Sequence, residues 1–437
     1  MSDRHFRDEA LGVALQALEV PDHEPTFFPD LQAQLGPVRS RRWPKPRAGR
    51  VLAAMAVAGA AVVVAIVLVK IVGGEHGADV ARAAQIEARL GAAVAGTRTA
   101  RGELTYTARD PRSGRRTTTR QSFVLDGVGD QRLTDLSAST VSAYDARRGV
   151  ERAITTSAAL GSGRFYAVRA GVAPGPPDAG PSSPLLDSQL GAVVRALAAA
   201  RDPRVRQVEL NGRPAWRLDL AIEPNTIYRD VDHVSVTVDR ATGFPLHVLT
   251  TLDGGFRSEL TLDKLELNSP LPRGAFTLRF PAGAELLRTD GGFVRVGLDG
   301  VAKRVGYPPL VPASLPDGFK LVTVAAARRA EPTGPGETNP RSRDVVSLSY
   351  RRGLAQIVIT TRRRGGGRWQ DPFGIEGVHL ESERVQLTKG AMAGAAAEVV
   401  VDARTVPHLW TLDRGLLVTV SGDLSRSQLL AVAEALR

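Results

Sequence analysis

Histidine and carboxylate side chains could supply metal binding or acid–base catalysis in this chain. The 437 residues include seven histidines, and no two of them lie three or four positions apart. That spacing would place two imidazoles on one face of a helix, as the zinc motif HExxH requires. The GxSxG, P-loop and GxGxxG patterns are absent as well. The sequence therefore predicts no enzyme, no catalytic residue, no metal site and no cofactor.

Two short clusters nevertheless contain side chains that can bind metal ions. Residues 229–233 (RDVDH) combine two aspartates with a histidine, but a strand is predicted to begin here, which favours a solvated turn. The second cluster has three residues on one face of a predicted strand and one residue before them: His379, Glu381 and Glu383, after Glu376. An outward polar face explains this second cluster.

The composition excludes several classes of protein. There is no cysteine, so disulfides and thiolate zinc sites are excluded. The net charge is +11, but aromatic residues make up only 5% of the chain. Nucleic-acid binding needs basic patches interleaved with stacking aromatics, so we expect no nucleic-acid partner. Attraction to anionic lipid or glycan surfaces is the better use of the charge. Residues 362–367 (RRRGGG) are predicted to form a solvated loop, with contact to anionic headgroups as the alternative.

A long apolar run separates the N-terminal tail from the rest of the chain. Residues 51–69 contain only Ala, Val, Leu, Ile and Met apart from Gly59. About 20 such residues span a hydrocarbon core of roughly 30 Å, so a single transmembrane helix is predicted at 51–72. Only Lys70 and Arg82 are cationic between this run and residue 85, whereas six cations precede it: Arg39, Arg41, Arg42, Lys45, Arg47 and Arg50. This asymmetry places the N-terminus in the cytoplasm and the bulk of the chain outside the cell membrane. The alternative is a cleaved signal peptide, but such a peptide would carry its basic region at the very start of the chain.

Residues 1–50 are predicted to be a cytoplasmic tail with short amphipathic helices and a basic segment next to the membrane. Leucines recur at helical spacing in its first half and two phenylalanines follow: Leu11, Leu15 and Leu18, then Phe27 and Phe28. So short a segment cannot bury a core of its own. It is either loosely structured or a docking segment that folds on a cytoplasmic partner. Membrane-bound anti-sigma factors carry their sigma-binding helices at this position.

The residues after the apolar run change from a helical to a strand pattern. Ile86, Leu90 and Val94 recur at helical spacing, and residues 185–200 predict a second helix after a Pro-rich loop at 171–184. The other segments are short strands joined by turns at 111–114, 145–149, 211–212 and 352–353. In residues 234–239 valines alternate with Ser235, Thr237 and Asp239, which predicts one buried face and one wet face.

Two segments of this region carry a family resemblance. Residues 236–249 (VTVDRATGFPLHVL) precede a strand and then residues 265–285 (LELNSPLPRGAFTLRFPAGAE). This order resembles the outer-membrane lipoprotein carriers LolA and LolB and the periplasmic sigma-E regulator RseB (MucB). For residues 78–285 the resemblance implies an unclosed antiparallel β-barrel packed on helices, with an apolar hollow for an acyl-chain ligand.

Residues 304–322 (RVGYPPLVPASLPDGFKLV) resemble the start of the small domain that follows the carrier-like domain in RseB-type proteins. Residues 307–316 (YPPLVPASLP) read as an extended linker, which puts the boundary between the two outer domains near 285–312. Residues 300–437 are predicted to be a small α+β domain that ends in a helix. Ser425 caps that helix, whose apolar positions are Leu429, Leu430, Ala433 and Leu436.

The whole chain is thus predicted to be of the α+β class. Its expected function is that of a membrane-anchored, extracytoplasmic regulator of the RseB type that senses lipid or lipoprotein. Its expected partners are the membrane, an acyl-chain ligand or lipoprotein, and a sigma or anti-sigma factor. The alternative is an anchored carrier of lipoproteins or lipids with no signalling role.

Overall fold

The structure is a computed structural model that describes residues 74–111, 113–156, 164–173, 203–221, 231–252, 255–316, 318–328, 344–363, 371, 373, 382–401 and 406–437. The predicted tail, its docking and membrane-orienting residues, the transmembrane segment and the helix at 185–200 lie outside these residues. Within the described ranges, no helix combines the length and apolarity that a membrane span needs.

Three helices occur in the described part of the chain. They are α1 (Gly74–Gly96), α2 (Leu298–Val305) and α3 (Arg426–Glu434). Helix α3 begins as predicted, because the Ser425 hydroxyl accepts the amide N–H of Gln428. The Gln428 side chain in turn accepts the Ser425 N–H at 2.9 Å. This capping box satisfies two amide donors that the first turn would otherwise leave unpaired.

Twelve strands form the first sheet, in the order β12-β6-β5-β4-β3-β2-β1-β11-β10-β9-β8-β7. Every neighbouring pair is antiparallel except β12 and β6, which run parallel. The strands are β1 (Thr99–Arg109), β2 (Arg116–Asp126), β3 (Gln131–Asp135), β4 (Thr140–Asp145), β5 (Val150–Thr156), β6 (Arg164–Ala170), β7 (Arg204–Leu210), β8 (Arg213–Ala221), β9 (Val231–Asp239), β10 (Pro245–Leu252), β11 (Arg257–Leu267) and β12 (Leu286–Asp290). The sheet is unclosed, since β12 and β7 end its order.

Eight strands form the second sheet, in the order β13-β14-β15-β16-β20-β19-β18-β17, all antiparallel. They are β13 (Phe293–Arg295), β14 (Lys320–Ala327), β15 (Val345–Arg352), β16 (Ala355–Arg363), β17 (Glu383–Gln386), β18 (Ala396–Val400), β19 (His408–Asp413) and β20 (Leu416–Gly422). The described residues are therefore mostly β, rather than an even mixture of helix and strand. The predicted boundaries at 78–285 and 300–437 stay predictions.

Helix α1 fills the core of the first sheet. Ile86 and Leu90 are almost completely buried, and they pack in one cluster with Leu104, Phe123 and Leu218 from the strands. Val94, the third residue of the predicted stripe, is partly buried against the same cluster. The helical spacing of the apolar residues thus correctly indicated which face of the helix is buried.

Strand β9 corrects one sequence prediction. Ser235, Thr237 and Asp239 were expected on a wet face, but they are as buried as the valines between them. Asp239 forms an ion pair with Arg213 on β8 and accepts the amide N–H of Ala241 at 2.7 Å. Period-two alternation cannot reveal that partners on neighbouring strands cover the polar face.

The second sheet has a core of its own. Val301 and Val305 from α2, and Leu429 and Ala433 from α3, are buried in one cluster with the central strands. The segment predicted as an extended linker packs onto this unit, because Val311 and Arg437 exchange two backbone hydrogen bonds of 3.1 and 3.0 Å. The segment is extended, and it is tied to the C-terminus of the chain.

The turns predicted near 111–114, 145–149 and 211–212 join strands as expected, whereas the turn predicted at 352–353 lies one residue later, at Gly353–Leu354. Asn211 and Gly212 link β7 to β8 with φ values of 52° and 74°, as a two-residue hairpin of type I′ requires. Arg362 and Arg363 correct another prediction, since they end strand β16 instead of lying in a loop. Arg363 donates a hydrogen bond of 2.6 Å to the carbonyl oxygen of Gly306.

Candidate functional site

Of the two clusters that could bind metal ions, the structure describes only residues 231–233 of the first and Glu383 of the second. His233 lies on β9 opposite Ala221 of β8, and its Nε2 is 3.8 Å from the Asp219 carboxylate. Glu383 is exposed on β17 and accepts a hydrogen bond of 2.5 Å from Arg426. Its neighbours in the predicted cluster, residues 376, 379 and 381, lie outside the described part of the chain. The described residues contain no group of three His, Asp or Glu side chains arranged to hold a metal ion.

Sequence reasoning missed one buried histidine–aspartate pair. His408 is completely buried on β19, with Nε2 2.9 Å from Asp371 Oδ1 and Nδ1 2.7 Å from the carbonyl oxygen of Val406. The Phe373 ring lies 4.4 Å from the imidazole, centroid to centroid. This pair attaches residue 371 to the second sheet. The partners are 37 positions apart, and no motif links them.

The structural feature best suited to a function is the joint between the two sheets, which belong to one compact unit. At its first contact, the turn Gly353–Leu354 of the second sheet reaches the end of helix α1. The Leu354 N–H donates to the carbonyl oxygen of Val94 at 3.1 Å, one of the carbonyls that a helix C-terminus leaves unpaired. The Leu354 side chain is buried in the core of the first sheet.

Glycine is required at this turn. Gly353 has φ 58°, in the left-handed region that other residues avoid. A Cβ atom there would overlap the carbonyl oxygen of Ala95 and lie 2.7 Å from that of Thr97. The turn therefore approaches the end of α1 more closely than any side chain would permit.

The second contact of the joint is made by Arg295 on β13. Its guanidinium donates four hydrogen bonds to the first sheet: two to the carbonyl of Ala146 at 3.0 and 2.8 Å, one to the carbonyl of Val172 at 3.0 Å and one to the Tyr144 hydroxyl at 3.0 Å. A Cβ on Gly149 would come within 2.8 Å of the guanidinium carbon. Arg295 thus bridges β13 to the β4–β5 turn through the donors of a planar fork.

Burial perturbs two titrating groups beside Arg295. Burial raises the pKa of the Tyr144 hydroxyl, while the positive charge and hydrogen bond of Arg295 lower it by less. Burial also raises the pKa of Asp130, partly offset by a hydrogen bond from the backbone of Ala146. That bond is 2.7 Å long. Asp130, Ala146 and Arg295 therefore form one polar network across the joint.

The fold and this joint define a class of protein: two unclosed sheets, each with its own core, whose contacts include the Gly353–Leu354 turn, Arg295 and a backbone hydrogen bond of 3.1 Å from Phe293 to Gly171. No protein-family model matches the chain, and no curated protein matches it. Among solved structures the chain is similar to MucB, at 19% identity over 82% of this chain and 98% of that one, with a TM-score of 0.30. It is similar to the MucA/MucB complex of Pseudomonas aeruginosa, at 16% identity, the same coverage of 82% and 98%, and a TM-score of 0.29.

A LolA-superfamily protein from Nitrosomonas europaea is also similar, at 10% identity over 45% of this chain and 97% of that one, with a TM-score of 0.22. MucB and LolA-type proteins are the families that the sequence resembles.

Proposed function

We propose that this protein is a membrane-anchored extracytoplasmic regulator of the RseB type, which senses lipid or lipoprotein and acts on a sigma/anti-sigma circuit. The observation that carries the proposal is the joint. A simple carrier needs only the first sheet. Here the second sheet inserts Leu354 into the core of the first and holds it with Arg295, so that a structural change in one sheet can bias the other.

The filled core of the first sheet favours regulator over carrier. Where α1 packs, Ile86 and Leu90 occupy the space that an acyl chain would need. A ligand would therefore bind elsewhere on this sheet, or bind by displacing the helix. The partner on the other side of the membrane would be a sigma or anti-sigma factor, docked on the tail residues Leu11, Leu15, Leu18, Phe27 and Phe28.

The test is deletion of the gene in its native host, followed by complementation and RNA sequencing. The regulator proposal expects altered transcription from one class of promoters, restored by the wild-type chain but not by Arg295→Met. The matched control, Arg288→Met, replaces an exposed arginine of β12 and should restore transcription. Unchanged transcription together with a changed distribution of lipoproteins would favour the anchored carrier instead.

A second experiment addresses the tail in the full-length chain. A photo-crosslinking amino acid at Leu15 or Phe28 should capture a cytoplasmic protein, and the same group at Ser2 should not. Capture of a sigma or anti-sigma factor would support the proposal. Equal labelling at all three positions would indicate a loosely structured tail with no docking role.

A further inference from the structure

Three arginines form one row across adjacent strands of the first sheet. Arg109 on β1 lies directly opposite Arg116 on β2 and directly opposite Arg257 on β11. Opposed residues of an antiparallel pair have Cβ atoms about 4.5–5.5 Å apart, and like charges at that separation are destabilising. Within the described ranges, no hydrogen bond or ion pair occupies any of the three guanidinium groups.

The other end of the same strand pair shows the arrangement that a sheet normally prefers. There Arg101 lies opposite Glu266 and donates to it at 2.9 Å, and Lys264 lies opposite Glu103 and donates to it at 2.9 Å. Opposite charges face each other at that end, whereas only positive charges face each other in the arginine row. The row therefore needs an explanation other than sheet stability.

These arginines line a cavity of about 450 Å³, together with Thr107, Gly114 and Glu259. This volume is within the range of roughly 300–1,000 Å³ typical of small-molecule sites. The Glu259 carboxylate forms a hydrogen bond of 2.9 Å with His247. This hydrogen bond keeps the pKa of Glu259 below its usual value, and the charges of His247 and of two of the arginines add to the effect. The cavity thus presents three positive charges, one negative charge and a threonine hydroxyl.

We propose that this cavity, the arginine pocket, binds an organic phosphate. A phosphate monoester carries about −1.5 to −2 charges at neutral pH and several strong acceptor oxygens. Guanidinium groups match those oxygens in pairs. One arginine suffices for a carboxylate, so a row of three fits a phosphate better. The remaining volume and the polar groups of Thr107 and Glu259 suit hydroxyl groups on the same molecule. The phosphate can come from a soluble metabolite or from a phospholipid headgroup.

The test uses the full-length chain in neutral detergent, studied by native mass spectrometry and calorimetry. The probes are glycerol 3-phosphate as the soluble source, and phosphatidic acid as the lipid source, with phosphatidylcholine as the lipid control. The test variant is Arg109→Gln/Arg257→Gln. The control variant, Arg148→Gln/Arg414→Gln, removes the same charge from side chains that are 81% and 74% exposed.

We expect binding of at least one probe with Kd below about 1 mM, weakened at least about tenfold in the test variant and unchanged in the control. Binding of glycerol 3-phosphate assigns a soluble ligand, and binding of phosphatidic acid alone assigns a headgroup. Equal losses in both variants would mean general charge attraction and overturn the proposal. Absence of binding by either probe would also overturn it. The proposed regulatory function does not depend on this pocket.

Discussion

The two sheets differ in how much of their surface is covered. In the second sheet the adjacent strands β15, β16 and β20 are buried along most of their length on both faces. In the first sheet β9 is buried in this way, whereas β1 to β6 are mostly half-exposed. Surface that carries polar and charged groups is available for binding. The described half-exposed strands of the first sheet therefore offer more accessible surface than the central strands of the second.

The largest expected effect tests whether helix α1 truly fills the first sheet. Leu90→Ala should lower the free energy of unfolding by about 2–5 kcal/mol, because it removes a completely buried side chain and leaves a cavity. Leu287→Ala, at a position 51% exposed, should change it by less than about 0.5 kcal/mol. Urea denaturation of both variants measures the difference. A near-neutral Leu90→Ala would mean that the helix leaves the sheet easily and that the hollow is open to ligands.

The next effect concerns the close approach at the joint. Gly353→Ala should destabilise the protein by about 1–3 kcal/mol more than Gly415→Ala. Both glycines have positive φ, at 58° and 76°, but only Gly353 faces backbone atoms within 4 Å. Differential scanning calorimetry should show whether the two sheets then melt separately. Equal destabilisation by the two substitutions would contradict the close approach of Gly353 to the end of α1.

A comparable effect is expected from the polar half of the joint. Arg295→Met keeps the aliphatic stem but loses four hydrogen bonds, and it should cost about 1.5–3 kcal/mol. It should also raise the pKa of Tyr144 further, since Arg295 now lowers it. Alkaline absorbance titration, with Tyr144→Phe to identify the signal, checks this shift. An unchanged tyrosine titration would mean that the guanidinium does not reach the hydroxyl in solution.

The smallest expected effect is at Asp130, whose pKa is raised by burial above its unfolded value. Protonated Asp130 is therefore favoured by folding, and its contribution is present at low pH and lost as the pH rises through the folded pKa. Asp130→Asn keeps an acceptor for the Ala146 N–H and removes the charge. Wild type should lose slight stability between roughly pH 3 and pH 7, whereas the variant should not. The free energy of unfolding of the variant minus that of wild type should therefore increase over this range. Urea unfolding midpoints of both proteins at the two pH values test the sign of this change. A stability difference that decreases from pH 3 to pH 7 would contradict the prediction.

Local features were predictable because short stretches of chain determine them. The helical spacing of Ile86 and Leu90, the Asn211–Gly212 turn and the Ser425 cap all depend on residues within a few positions of one another. Burial of Ser235 and Thr237 was not predictable, because it depends on neighbouring strands. The arginine row likewise depends on the pairing register of three strands, although each arginine is visible in the sequence.

The sequence by itself determined the apolar run at 51–69, the strand-and-turn pattern after it, the helix start at Ser425 and the absence of cysteine chemistry. These follow from composition and from hydrogen bonds or periodicities of short range. The tertiary structure alone decided that Gly353 meets the end of α1, that Arg295 bridges to the β4–β5 turn and that three arginines share one cavity. Each of these contacts joins residues far apart in the chain, and their meeting depends on the packing of both sheets rather than on any local preference.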